Sequence, residues 1–198
     1  FNLVKNFNFK AIYIENDAEK FKNLKKTEKE YPNILALNKT IEKNKNSNNS
    51  LTKVLEGTEI PIDFEVLSID IDSYDLDVWE TFEKYRPKIV VIEVNSSIKP
   101  GIIQRHDENN QGNSFSATVN VGKIKGYVLV QHTGNCIFLR EDFINKINYD
   151  EDLLKDPNKL FDKSWLNKKD GLFKILLKKL LPAFLINILK KIKIKFSN

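Results

Sequence analysis

Four aspartates, at positions 70, 72, 75 and 77, follow an apolar run within LSIDIDSYDLDVWE (67–80). Carboxylates this close repel one another and raise each other's pKa. Water, a cation or a donor-rich ligand must offset that cost. Hard oxygen donors suit magnesium or calcium, whereas zinc draws on His and Cys. With one cysteine and two histidines, at 106 and 132, a structural zinc site is excluded in practice. Downstream, KIVVIEVN (88–95) ends on Glu93 and Asn95, which join Asp70 and Asp72 as a set of oxygen ligands. Asp75 and Asp77 also have a plainer explanation. Both stand at the start of a helix, where acids cap free N–H groups and complement the dipole.

Other residues carry chemistry of their own, each beside a bland alternative. Glu15 closes KAIYIEND (10–17). A carboxylate there can accept both hydroxyls of a ribose, or it is an ordinary acid at a helix N-terminus. His132 ends GYVLVQH and suits a general base, since imidazole titrates near neutrality. The alternative is a hairpin-turn histidine facing solvent. His106 lies with Arg105 and Asp107 in a polar loop, a natural place for substrate contacts. Cys136, inside NCIFL, reads as a buried and inert thiol. Trp79 and Trp165 read as packing residues.

The elements that must position these groups alternate. Strands are expected at 10–17, 33–38, 64–70 and 88–95, with helices at 18–31, 50–57 and 75–85 between them. KIVVIEVN is almost continuously β-branched, which suits a strand covered on both faces. A weak helix at 114–125 precedes two strands, 126–132 and 135–141, joined by Thr133 and Gly134 as a hairpin. The order β-α-β-α-β-α-β predicts a doubly wound, mostly parallel sheet that binds at the carboxyl ends of its strands. Glu15, Asp70, Asp72, Glu93 and Asn95 all fall at those ends. No G-x-G-x-x-G and no Walker A loop is present.

The 198 residues fit one domain, with 30% charged and 41% apolar. A single cysteine points to a reducing, cytoplasmic compartment, and no secretory signal opens the chain. Net charge is +5, but 171–198 holds seven lysines and no acid, so 1–170 carries 5 − 7 = −2. A near-neutral body argues against nucleic acid as a partner. The tail, GLFKILLKKLLPAFLINILKKIKIKF (171–196), is apolar with lysines at intervals. Its longest uncharged run is ten residues, 180–189, short of the roughly 20 that span a bilayer. A basic amphipathic helix on an anionic membrane surface is expected, each lysine contributing on the order of 1 kcal/mol. The alternative is a helix docked on the protein's own sheet or on a second subunit. Three parts follow: an α/β domain at 1–147, a linker at 148–170 and the tail.

LSIDIDSYDLDVWE and YRPKIVVIEVNSSIKP resemble the middle of FkbM-type and related S-adenosylmethionine-dependent methyltransferases. These often show a strand ending D-x-[DE]-G-x-[DE], a helix, and a strand ending in Glu. KGYVLVQHTGNCIFLRED is similar to their closing hairpin, and KAIYIENDAEKFKNL to their second strand and helix. The resemblance covers about residues 8–147 and implies a Rossmann-like methyltransferase fold. It implies ribose binding by Glu15, adenine near the turn from Asn38 to Thr40, and Asp70 and Asp72 facing the methyl-transfer site. It also implies a divalent ion, such as magnesium, on Asp72, Glu93 and Asn95, with His132 as base for a sugar hydroxyl in surface-glycan synthesis. Ser73 stands where the family pattern has Gly, and strain is expected there. The family's first strand and cofactor loop would lie before Phe1; with no methionine in the chain, a fragment is expected. IYIE and VLSID would then lack the strand between them. Two other functions compete: a metal-dependent glycosyltransferase using D-I-D, and a degenerate, membrane-attached domain whose acids only cap helices.

Overall fold

Local capping chemistry sets many of the element boundaries. The computed structural model describes residues 1–167, with 185, 187–189 and 191 further on. Helix α1 (Asn2–Phe7) opens the chain and ends on Asn8 in the left-handed region. Strand β1 (Ala11–Glu15) leads to α2 (Ala18–Glu30), where Asp17 accepts the Lys20 N–H as N-cap. Strand β2 (Ile34–Asn38) and helix α3 (Leu51–Glu56), capped by Ser50, come next. Then follow β3 (Val66–Ile69), α4 (Asp75–Thr81) and β4 (Ile89–Glu93). Helix α5 (Phe115–Ile124), capped by Ser114, precedes β5 (Tyr127–His132) and β6 (Asn135–Arg140).

Helix α4 stops four residues before the expected Tyr85. Phe82 and Tyr85 leave the helix to stack on one another, centroids 5.4 Å apart, and both are buried. Tertiary packing overrides helix propensity at this end.

The architecture is mixed α/β, with parallel and antiparallel pairing. The strands form two sheets, not the single expected one: β1 pairs with β2, and a second sheet has the order β3-β4-β6-β5. β1/β2 and β3/β4 are parallel, while β6 runs antiparallel to both β4 and β5. β1 and β3 do not pair with each other. Among the described residues, each is paired with a strand on one side only.

β4 sits inside the four-stranded sheet and is covered on both faces, as its continuous apolar run requires. Val90 and Ile92 join a core with Leu76, Val78, Trp79, Phe115 and Phe138. Ile89 and Val91 join a second core with Val130, Ile137 and Leu139. Burial of each such side chain stabilises the fold by about 1.5–3 kcal/mol. Ile12 and Ile14 of β1 pack against the first core, so the two sheets share it.

The segment expected as a linker folds. Helix α6 (Glu151–Lys155) and 3₁₀ turns at Pro157–Leu160 and Lys163–Asn167 follow one another, and Phe161 is buried in the first core. In the tail, Leu185, Ile188 and Leu189 are buried in the second core against the sheet. These three residues follow the alternative in which the tail docks on the protein itself. The seven lysines of the expected membrane face lie outside the described residues, apart from Lys191, which is exposed. No helix among the described residues is long and apolar enough to cross a membrane.

Candidate functional site

The aspartate turn is built by one of its own members. Asp75 is 3% exposed, and its two carboxylate oxygens accept the Ile71 N–H at 2.8 Å and the Ser73 N–H at 3.1 Å. It therefore reaches backwards from the first residue of α4 and closes the turn. Burial pushes its carboxyl above the usual aspartate range, with the nearby Asp70 adding to the shift, while the backbone donors pull the other way. The bend falls on Asp72, at φ 58°, not on Ser73 where strain is expected. Asp tolerates the left-handed region better than most residues, because its short polar side chain bonds locally.

This bend brings carboxylates together. Asp70, Asp72 and Glu93 each offer an oxygen within 4.8 Å of the others, the first two exposed and Glu93 half-buried. Oxygen ligands at 2.0–2.6 Å from a magnesium or calcium ion lie up to about 5 Å apart across it, so the spacing fits a hard cation. Asn95, two residues past Glu93, has hydrogen-bond partners of its own. Its Oδ1 accepts from the Ser97 hydroxyl at 2.6 Å, and its Nδ2 donates to the Gln111 carbonyl at 2.9 Å.

Asn113, a residue without any motif around it, holds the rim. It is 2% exposed. Its backbone carbonyl accepts the Asn95 N–H, its Oδ1 accepts the His106 N–H, and its Nδ2 donates to the Ser73 carbonyl. The polar loop is thereby fastened to both the aspartate turn and the end of β4. His106 follows, its ring edge-on to Tyr74 at 4.7 Å and its Nδ1 accepting the Gly112 N–H. On the Tyr74 ring lies the Lys43 ammonium, 3.6 Å from the centroid. His106, not His132, is the histidine beside the aspartate turn, through its ring contact with Tyr74.

His132 stands elsewhere. It is 4% exposed, bonded through Nε2 to Ser96 Oγ at 2.9 Å and through Nδ1 to the Asp162 N–H at 3.1 Å. It neither faces solvent nor offers a free nitrogen to a substrate. Burial pushes its pKa down to about 4, which makes it a poor base at neutral pH.

Glu15 and Asn38 end the two strands of the smaller sheet and are register partners. Glu15 Oε1 accepts the Asp17 N–H at 2.9 Å, and the Asn38 amide donates to the Glu15 and Asn16 carbonyls. Glu15 thus acts in the entry to α2. Thr40 is exposed just beyond. Cys136 is fully buried, and burial pushes its thiol up, in line with an inert packing role. Asp77 lies near Arg105, at 3.6 Å, and takes no part in the carboxylate cluster.

A cavity of about 440 Å³ opens beside the N-terminal ends of β3 and β4, lined by Ile62, Asp63, Arg86, Arg140, Glu141 and Asp142. It lies away from the chemistry. Arg140 there bonds Asp63, Asp142 and the Arg86 carbonyl, so its charge serves the fold. Set against protein-family models, curated proteins and solved structures, the chain has no match.

Proposed function

We propose that the protein is an S-adenosylmethionine-dependent O-methyltransferase acting on a hydroxyl of a small molecule or glycan. One observation carries this: parallel strands end in acids and an amide suited to two halves of such a site. Glu15 with Asn38 forms one half and Asp70, Asp72 and Glu93 the other. In this proposal Glu15, Asn38 and Thr40 take the nucleoside of the cofactor. Asp70, Asp72 and Glu93 would hold a magnesium ion, which supplies positive charge and lowers the pKa of a substrate hydroxyl. Asn95 supports them by setting the course of the chain after Glu93. With both nitrogens of His132 engaged, the hydroxyl proton would pass to the Asp70 carboxylate oxygen that does not hold the ion. The sulfonium already carries its leaving group, so the protein's task is alignment.

The test is calorimetric titration of the gene's full-length product with S-adenosylmethionine and S-adenosylhomocysteine, with and without magnesium. Micromolar binding, weakened about tenfold or more by Glu15→Ala through lost charge-assisted hydrogen bonds, is the expected result. A folded protein that binds neither compound refutes the proposal. A second function is favoured by the convergence of both acids of D-I-D with Glu93: a metal-dependent glycosyltransferase. Magnesium-dependent binding of nucleotide sugars, with none of S-adenosylmethionine, would select it.

A further inference from the structure

Residues 157–167 close over the turn of the β5–β6 hairpin. Phe161 stacks on the His132 ring, centroids 4.7 Å apart and planes 14° from parallel, and meets Phe115 edge-on at 5.1 Å. Farther along, the Trp165 ring covers Gly134 so closely that a Cβ there would lie 2.7 Å from its carbons. Between them the Asp162 N–H donates to His132 Nδ1 at 3.1 Å. An imidazole nitrogen that accepts a hydrogen bond carries no proton, so the neutral ring has its hydrogen on Nε2. That hydrogen goes to Ser96 Oγ at 2.9 Å, and the Ser96 hydroxyl donates onward to the Gly134 carbonyl at 3.2 Å. One buried ring thus pins the segment, the hairpin turn and the chain just beyond Glu93.

We propose that residues 157–167 are a releasable strap, latched by the neutral His132 ring and let go when that ring takes a second proton. The proton must enter at Nδ1, the atom that accepts the Asp162 N–H. Two donors then face one another, and a cation is buried. Stacking on Phe161 tolerates the charge but replaces neither the lost acceptor nor the lost water. Among the described residues the groups around the ring are few. Asp162 of the strap attracts the proton, and Cys136, the ring's partner on β6, is a thiol kept neutral by burial. Phe115 of α5 and Ser96 beyond β4 bring no charge.

The direction of the effect follows from linkage. The docked ring has its pKa pushed down to about 4, mainly by burial, from the ordinary 6.5. Docking is therefore complete in strength above pH 6.5 and weakens as pH falls toward 4. The docking constant drops about tenfold per pH unit, about 300-fold across the window. Because Ser96 lies three residues past Glu93 and next to Asn95, release also frees one anchor of the candidate site.

Residue-resolved amide hydrogen exchange on the full chain between pH 7.5 and 4, expressed as protection factors, tests the latch. The strap amides, Asp162 among them, should lose protection about tenfold per unit below pH 6.5 while Ile137 and Phe138 hold theirs. His132→Asn, whose carboxamide oxygen can accept in place of Nδ1 but does not titrate, should make strap protection independent of pH. A flat wild-type profile, a fall shared equally by Ile137 and Phe138, or the same fall in His132→Asn overturns the proposal. Should that variant not fold, the wild-type ring ¹⁵N shifts decide. Nε2–H imidazole that protonates together with strap release supports the latch, and protonation with the strap still protected refutes it.

Discussion

Asp75 and Asp77 both lie in the first turn of α4, so the helix dipole alone predicts equal and small losses on replacement, about 0.3–1 kcal/mol each. The structure separates them. In Asp75→Ala the amides of Ile71 and Ser73 lose their acceptors, at about 1–3 kcal/mol each. Removing a carboxylate that burial disfavours restores part of this, leaving a net loss of about 2–3 kcal/mol. Asp77 is a quarter exposed, and its charge partner Arg105 stands at 3.6 Å, so Asp77→Ala should cost less than about 1 kcal/mol. Urea unfolding of both variants beside the wild type measures the difference. For a chain of this size the Asp75 variant should also melt about 4–10 °C lower. The bend at Asp72 loses its tether as well, so affinity for Mn²⁺ should fall together with stability. Equal losses in the two variants, or less than about 0.5 kcal/mol for Asp75→Ala, would refute the claim that Asp75 builds the turn.

Asp72→Asn keeps a residue comfortable in the left-handed region while removing one charge. Mn²⁺ affinity measured by electron paramagnetic resonance should drop about tenfold, with stability nearly unchanged. Gly122→Ala sets a Cβ 2.5 Å from the Phe138 ring, which is fully buried, and should cost about 1–3 kcal/mol in thermal denaturation. Tyr127→Phe removes a hydroxyl that donates to the Pro87 carbonyl at 2.7 Å and whose pKa burial pushes up to about 12. A loss of about 1 kcal/mol is expected in urea unfolding.

Period and capping made much of the fold legible. The alternation of short apolar strands with helical spacing predicts β1 to β6 and α2 to α5 within a few residues, and Asp17, Ser50 and Ser114 cap three of the helices locally. Helix α1 has no side-chain cap, and nothing in FNLVKNF marks it. That the acids of the D-I-D turn and the Glu that ends β4 come together was also legible, since parallel neighbouring strands bring their carboxyl ends to one rim. Asn113 was not, because a lone Asn in a polar loop has no pattern to betray burial.

What the sequence determined by itself is therefore what neighbours along the chain decide: which stretches become strands, where helices start, and which types of donor stand at strand ends. Tertiary structure decided which ends meet. Asn113 bonds Ser73 across 40 positions, and Ser96 bonds His132 across 36. That second pairing withdraws His132 from solvent and makes it a latch residue, although in the chain it looks like a turn histidine or a base. The division of the strands into two sheets has the same origin. An apolar strand signals that it needs covering, while its partner is chosen by backbone hydrogen bonds that carry no side-chain signature.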